Sequence, residues 1–238
     1  PRFPFGIPST DNANYLWIQI FYSALNEQGR AGFVMANSAA DAGHSEKEIR
    51  KKMIEDDAVD VVISIDSNFF FTVTLPCTLW FLDKGKPPER KGKVLFLDAR
   101  GVYHQIDRAH RKFTEKQLSF LSCIVRLYRD EDLNGYKFTH EGLNLTQPQV
   151  DELQMAFSNR VYSDISGLCK EVSIDEISEE GWSLNPGRYV GVSRVDHNNI
   201  NYSKKIGSLY SKFENLTEQA HELEKTINNN LEDLIDKL

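Results

Sequence analysis

The sequence has few cysteines and no long apolar run. Its three cysteines, Cys77, Cys123 and Cys169, lie far apart and form no Cys-x-x-Cys pair. Neither a zinc site nor a disulfide framework is therefore indicated. The longest largely apolar run, residues 69–82, contains three threonines and a proline, and it falls short of the roughly 20 residues that a membrane-spanning helix needs. We expect a cytoplasmic protein with free thiols.

Motifs for catalysis by the chain alone are also lacking. The sequence contains no Gly-x-Gly and no Gly-x-x-x-x-Gly-Lys, so it encodes no loop of the kind that cradles nucleotide phosphates. His104 and His110 lie near Asp98 and Asp107, but their spacings match no established ligand set. These four residues are therefore interpreted as ordinary polar groups of a loop, and no metal is expected. No serine or cysteine nucleophile can be proposed from spacing.

The composition is that of an ordinary folded protein with an acidic balance. Of 238 residues 40% are hydrophobic, and 28 basic against 35 acidic side chains leave a net charge of −7. This length suits one large domain, or a domain with an appendage. The acidic total argues against strong nucleic-acid binding by this chain alone, and the basic stretch from Arg108 to Lys116 is interpreted as the solvated start of a helix. Because residue 1 is proline, we expect a piece of something longer.

The first hundred residues show an α/β pattern. A helix is predicted from Asn14, a strand at 31–36, a second helix with a capping box at Ser45, and a buried strand at 59–65. We expect the two strands to be parallel neighbours in one sheet, since their crossover is long enough. Two further strands, 72–82 and 93–98, follow in close succession and should be antiparallel additions or leave the sheet.

The rest of the chain is predicted to be mostly helical. Thr114 opens another capping box, and Asn185-Pro186-Gly187 predicts a turn. Near the end, apolar residues step by three and four in a heptad pattern typical of a helix that packs on a partner helix. The residues of this seam are Ile206, Leu209, Phe213, Leu216, Leu223 and Ile227, with Ala220 between them.

The triplet Phe69-Phe70-Phe71 precedes the predicted strand 72–82. On composition alone its aromatic rings are expected to lie in the core. The alternative is a stacking wall for a planar ligand such as an unstacked nucleobase. The residues alone leave both alternatives open, and they lead no further than an α/β domain with a helical appendage that docks on something.

Several stretches resemble the modification, or methyltransferase, subunit of type I restriction-modification systems. The match runs in order through most of the chain. The stretches that carry it are Pro1 to Gln19, Gly29 to Ser38, Glu48 to Lys52, Phe69 to Lys84, Asp98 to Arg100 and Leu184 to Tyr189. The resemblance implies an adenine-specific DNA methyltransferase that uses S-adenosylmethionine. It also implies partners, namely a DNA-recognition (specificity) subunit, a translocating restriction subunit and double-stranded DNA.

The chain departs from this family in one respect. The family's glycine-rich cofactor loop and its Asn-Pro-Pro-Phe catalytic motif do not occur in this sequence, and both are expected upstream of it. No catalytic or cofactor-binding residue is therefore assigned, and the chain alone is expected to be inactive and to bind no cofactor. The resemblance matches Phe69 and Phe70 to the position where an aromatic side chain stacks on the flipped adenine.

The resemblance also predicts the organisation of the chain. We expect the carboxyl-terminal half of a Rossmann-like S-adenosylmethionine-dependent methyltransferase sheet over residues 1–106, a helical extension over 107–203 and a coiled-coil-like helix over 204–238. Three hypotheses remain for its function. It completes a methyltransferase, it is a non-catalytic module that docks on the recognition subunit, or it is a remnant that does neither. Self-association through the last helix is a further possibility.

Overall fold

A computed structural model describes residues 1–10, 13–135, 143, 145–191, 210, 213–214, 216–225 and 227. The chain divides into two units, Pro1–Arg194 and Val195–Leu238. The first unit is an α/β domain. Its helices and strands, in chain order, are α1 (Asn14–Ser23), β1 (Arg30–Ala36), α2 (His44–Glu55), β2 (Val59–Ile65), β3 (Cys77–Asp83), β4 (Lys93–Asp98), β5 (His104–Gln105), β6 (Arg111–Lys112), α3 (Glu115–Tyr128), α4 (Gln147–Asn159), β7 (Cys169–Ser173) and α5 (Ile174–Glu179).

Five strands form one mixed sheet in the order β1-β3-β2-β4-β7. Strand β3 is antiparallel to both β1 and β2, β4 is parallel to β2, and β7 is antiparallel to β4. Each face of the sheet carries its own core. Tyr15 and Ile18 of α1 and Met53 of α2 cover one face, and Phe120 and Ile124 of α3 cover the other.

The prediction that the first two strands are parallel neighbours is wrong. They run in the same direction, but the reversed strand β3 lies between them and pairs with both. One residue of the sequence is consistent with β3 lying next to β1. Gly32 of β1 faces Phe81 of β3, and a Cβ at Gly32 would lie 3.0 Å from the Phe81 ring. Glycine in a strand often marks such a close approach.

The predicted strand 72–82 is antiparallel to its neighbours, as expected. It begins only at Cys77. Residues 72–75 form an exposed loop, and Pro76 has no N–H to donate to a neighbouring strand. Strand β4 is parallel to its neighbour β2, since residues 84–92 carry the chain past β2 along one edge of the sheet. The antiparallel pairing expected for 93–98 therefore occurs only with β7.

Two capping boxes were predicted, and one is present. Thr114 caps α3 with Gln117, as expected. Ser45 does not cap α2, which begins at His44 after Gly43. Its hydroxyl instead accepts a hydrogen bond from the backbone N–H of Ser9 at 3.1 Å, so it fastens the amino-terminal segment.

The division expected after residue 106 does not separate two compact units. Residues on both sides of it belong to the unit Pro1–Arg194, and strand β7 from the predicted helical extension completes the sheet. Strand β7 has only five residues, and its two buried positions, Cys169 and Val172, are separated by two half-buried ones, so it lacks the alternation that marks a strand. The predicted turn is present, with the Asn185 side chain accepting from the Gly187 N–H at 3.2 Å.

In the second unit the described residues of 216–225 are helical. The large apolar side chains described there are exposed, namely Phe213, Leu216, Leu223 and Ile227. Two members of the predicted seam, Ile206 and Leu209, lie outside the described residues. None of the described helices is long and apolar enough to cross a membrane.

Candidate functional site

One edge of the sheet collects the ends of its parallel strands. Strands β1, β2 and β4 run in the same direction and end at Ala36, Ile65 and Asp98, and β3 begins at the same edge with Cys77. In open α/β sheets ligands bind outside the carboxyl ends of the strands. We call this edge the carboxyl edge, and it is where a ligand site is expected.

A groove of about 490 Å³ opens at the carboxyl edge. Its volume lies within the roughly 300–1,000 Å³ of most small-molecule sites. One wall is the end of β1 with residues 34–38, and the other is the loop before β3, from Phe70 to Cys77. The lining is mostly apolar. Asn37 adds a polar group, whose Oδ1 is buried and has no hydrogen-bond partner among the described residues.

The three phenylalanines before β3 have different surroundings. Phe69 packs on Phe113, with ring centroids 4.6 Å apart, against the core beneath α3. Phe70 is 41% exposed and lines the groove. Phe71 is 84% exposed, and its ring centroid lies 4.7 Å from that of His110. Phe70 is therefore the only member of the triplet on the groove wall.

The loop that carries this triplet is fastened to a small hairpin, formed by β5 and β6. The backbone N–H of Arg111 donates to the carbonyl of Asn68 at 2.8 Å, and the Arg111 guanidinium forms an ion pair with Asp66. Asn68 itself has φ of +68°, a left-handed conformation that asparagine tolerates better than most residues. The hairpin thus holds the aromatic loop at both its backbone and its side chains.

Two more stretches reach the carboxyl edge. Arg100, just after β4, donates from Nε to both carboxylate oxygens of Asp98, at 2.9 and 3.0 Å. Gly187 lies close to Arg100, since a Cβ built on Gly187 would be 3.5 Å from the Arg100 guanidinium. The sheet thus brings the segment around 183–190 beside the end of β4, although almost 90 residues separate them.

Asp41, after β1, joins the same segment to the first wall. It accepts hydrogen bonds from Ser183 Oγ at 2.5 Å and Asn185 Nδ2 at 3.1 Å, and it pairs with Arg188 at 3.3 Å. Burial disfavours the charged form of Asp41, but these hydrogen bonds and the charge of Arg188 outweigh it and lower its pKa. Sequence reasoning did not find Asp41 or Asn37, because neither belongs to a recognisable motif.

The titratable groups near the groove do not form a catalytic set. Cys77 lines the groove, but burial raises the pKa of its thiol to about 11, so it is a neutral thiol at physiological pH. His110 Nδ1 lies 2.8 Å from Asp107 Oδ2 on the exposed hairpin. Within the part of the chain that the structure describes, no three His, Cys, Asp or Glu side chains are grouped as metal ligands would be.

The groove does not fit a nucleoside cofactor. Its lining contains no aspartate or glutamate, the residue type that binds ribose hydroxyls in dinucleotide sites. The sequence also has no Gly-x-Gly turn that would let the backbone approach a charged ligand closely. A flat, mostly apolar group is the ligand that this lining suits best, held by the exposed face of Phe70 and the polar edge at Asn37.

Comparison with known proteins gives one family. Residues 1–198 match the family described as N-6 DNA Methylase. The chain is 34% identical over 98% of its length to the type I restriction enzyme MjaIX methylase subunit of Methanocaldococcus jannaschii, and 28% identical over 97% to the HindI methylase subunit of Haemophilus influenzae. It spans only 36% and 46% of the lengths of these two relatives.

A solved structure shares the fold. It is the methyltransferase subunit of a type I restriction-modification system from Streptococcus thermophilus, with a TM-score of 0.57 and 24% identity. The match covers 80% of this chain and 33% of that one. At this level of identity the comparison concerns the fold alone.

Proposed function

The chain belongs to the N-6 DNA methylase family, and on that premise we propose that it forms part of the modification subunit of a type I restriction-modification system. The complete subunit would transfer a methyl group from S-adenosylmethionine to the exocyclic amine of adenine in DNA. The observation that carries this proposal is the groove at the carboxyl edge with Phe70 on its wall. Its walls come from two of the stretches in which the chain resembles the family. Because the substrate is the host's own DNA, the subunit would act in the cytoplasm.

In this proposal the groove takes the target adenine after it has left the duplex. An enzyme cannot reach the exocyclic amine of a stacked base without extruding it, and an extruded base needs an aromatic or apolar surface to stack on. Phe70 offers a half-exposed ring and the end of β1 offers an apolar wall. Phe69 is the weaker candidate, because its ring is already packed on Phe113.

S-adenosylmethionine would supply an electrophilic methyl group in the complete subunit. Because the groove does not fit this cofactor, no residue of this chain is assigned to it, and the chain alone should neither bind it nor transfer a methyl group. Isothermal titration of S-adenosylmethionine into the purified chain tests this. We expect no heat of binding, and micromolar affinity would contradict the proposal.

The sheet supports the view that the chain holds the carboxyl-terminal half of a Rossmann-like catalytic sheet. Strand β1 pairs with β3 on one side and with no described strand on the other. Its outward residue Val34 is 49% exposed. An unpaired edge strand with exposed apolar side chains is a place where a sheet can be extended. The strands that would carry the cofactor loop would add at this edge.

The last helix would bind the DNA-recognition subunit, with the restriction subunit joining in the full complex. The exposure of Phe213, Leu216, Leu223 and Ile227 supports this, because a narrow apolar seam in water is typical of a helix that packs on a neighbour. The same exposure supports the second candidate function, a non-catalytic module or remnant that docks on the recognition subunit. Two copies of the chain could also associate through this seam.

Methyl transfer distinguishes the two candidates. The gene product that contains this chain is co-purified with its recognition subunit and incubated with DNA and methyl-labelled S-adenosylmethionine. If the chain is part of a methyltransferase, label appears in N6-methyladenine after the DNA is digested to nucleosides. A complex that assembles but produces no N6-methyladenine would leave the interaction module as the function.

A further inference from the structure

The segment around the β5–β6 hairpin has a positive net charge, opposite in sign to that of the whole chain. From Ala99 to Lys116 the sequence has five arginines and lysines and only two acidic residues. The whole chain has more acidic than basic residues and a net charge of −7. Of the four exposed cations among them, two belong to the hairpin, namely Arg108 in its turn and Lys112 on β6. Neither pairs with an acidic side chain of the described residues.

Hydrogen bonds within the hairpin fix the geometry of its turn. The N–H of Ile106 donates to the carbonyl of His110 at 2.9 Å, and Asp107 Oδ1 accepts from the N–H of Ala109 at 2.8 Å. Arg111 is already engaged, since it pairs with Asp66 and stacks its guanidinium over Tyr103 at 4.0 Å. The hairpin therefore holds Arg108 and Lys112 in place without using their charges.

The hairpin also has a fixed position beside the groove. The Arg111 N–H donates to the Asn68 carbonyl, and the His110 ring contacts that of Phe71, the residue after Phe70. A base that stacks on Phe70 would stay attached to its strand, because base flipping rotates the nucleotide about its own backbone. The phosphates on either side of that nucleotide would therefore pass close to the hairpin.

We propose that the β5–β6 hairpin, through Arg108 and Lys112, binds backbone phosphates of the DNA strand that carries the flipped adenine. This inference rests on the proposed function and adds a DNA contact to it. Phosphate contacts give affinity and position but carry no sequence information, which suits a subunit whose target sequence is chosen by another. The exposed Lys91, by contrast, precedes β4 and lies at the opposite edge of the sheet.

Salt-dependent binding of a fluorescent duplex of arbitrary sequence tests the proposal. The protein is the gene product that contains this chain, in complex with its recognition subunit. The variant is Arg108→Ala with Lys112→Ala. The matched control is Arg2→Ala with Lys91→Ala, which removes the same two charges from other exposed positions. Each lost phosphate contact should reduce the slope of log affinity against log salt by about 0.9.

We expect the double variant to bind with a slope about 2 smaller than the wild type, and more weakly at low salt, and the control to match the wild type. Equal slopes in the variant and the wild type, or no duplex binding by the wild type, would overturn the hairpin proposal. A control as impaired as the variant would also overturn it, because the effect would then come from net charge. Methyl transfer measured in the same preparations is a separate result. If it is absent while the slopes differ as expected, the methyltransferase proposal fails and the phosphate contact stands.

Discussion

The ring of Phe71 lies against the imidazole of His110, with centroids 4.7 Å apart, although 84% of Phe71 is exposed. This contact joins the tip of the aromatic loop to the basic hairpin. Two residues earlier, Phe69 packs on Phe113 and anchors the other end of the triplet. Phe70 is thus held between two fastened neighbours while its own ring remains on the groove wall.

Replacing Phe70 by Ala should weaken binding of a duplex with an extruded adenine by about 1–3 kcal/mol, the usual contribution of a base stacked on an aromatic ring. The free energy of unfolding should fall by less than in Phe69→Ala, because Phe70 is 41% exposed and lines the groove, whereas the Phe69 ring packs on Phe113. Affinity for a duplex whose target adenine faces an abasic site gives the first quantity, and urea unfolding gives the second.

Phe69→Ala is the contrasting variant for that prediction. It should lower the free energy of unfolding by about 2 kcal/mol, less than the 3–5 of a fully buried phenylalanine. If Phe70→Ala leaves methylation kinetics unchanged and lowers stability as Phe69→Ala does, Phe70 is a core residue like Phe69 and its assignment to the flipped base is wrong.

At the edge opposite the groove, Asp60 is fully buried and pairs with Arg90 and with Arg129, the latter at 2.7 Å. Asp60→Ala should lower the free energy of unfolding by about 3–5 kcal/mol, because it leaves Arg129 without its buried carboxylate and Arg90 with Asp83 alone. The control is Arg30→Ala, whose side chain is 43% exposed and pairs with Asp83. It should cost less than about 1 kcal/mol. Similar losses in both variants would contradict this account of the cluster.

Asp83 should make the domain sensitive to acid. Burial disfavours its charged form, but the hydrogen bond from Arg90 and the charge of Arg30 outweigh burial and hold its pKa below the ordinary 3.8. Such a carboxyl adds stability above its unfolded pKa and loses it as the pH falls through the lower folded pKa. Urea unfolding at decreasing pH below 3.8 should show this loss. In Asp83→Asn the decline should be shallower, and an equally steep decline would exclude Asp83 as its source.

Replacing Leu216 and Leu223 together by Asp should abolish co-purification with the recognition subunit. Two charges on the seam of the last helix cannot be buried against a partner without a large desolvation cost. The sheet should remain folded, with an unchanged free energy of unfolding for the first unit. The matched control is Glu218→Asp with Glu222→Asp, which changes two residues of the same helix and keeps their charges. A complex that survives the double change would exclude this seam as the interface.

The sequence predicted the elements of the sheet better than their order. Strand β2 was predicted because five of its seven residues are Val or Ile, and all of its residues are buried. The place of β3 between β1 and β2 was missed, since strand order depends on long-range pairing that local periodicity does not encode. Strand β7 was missed because five partly polar residues resemble a loop.

For the candidate site, the sequence identified the aromatic triplet but could not separate its members. Their identical side chains give no reason to place Phe69 in the core and Phe70 on the groove. Phe69 differs because its ring packs on Phe113, and Phe71 contacts His110; these two partners lie in and just after a hairpin some 40 residues later in the chain. Asp41 was missed for the same reason, because its partners Ser183 and Asn185 lie far away in the sequence, and Asn37 was missed because it belongs to no recognisable motif.

Photo-crosslinking tests the central claim most directly. Once the methylated adenine has been mapped, 5-iodouracil replaces it in a duplex, and the complex is irradiated with long-wave ultraviolet light and digested for mass spectrometry. Because this base crosslinks to aromatic rings that stack on it, the crosslinked peptide should contain the segment before β3, with the adduct on Phe70, and the crosslink should be lost in Phe70→Ala. A crosslink that forms on another segment and persists in Phe70→Ala would contradict the assignment of the groove to the flipped base.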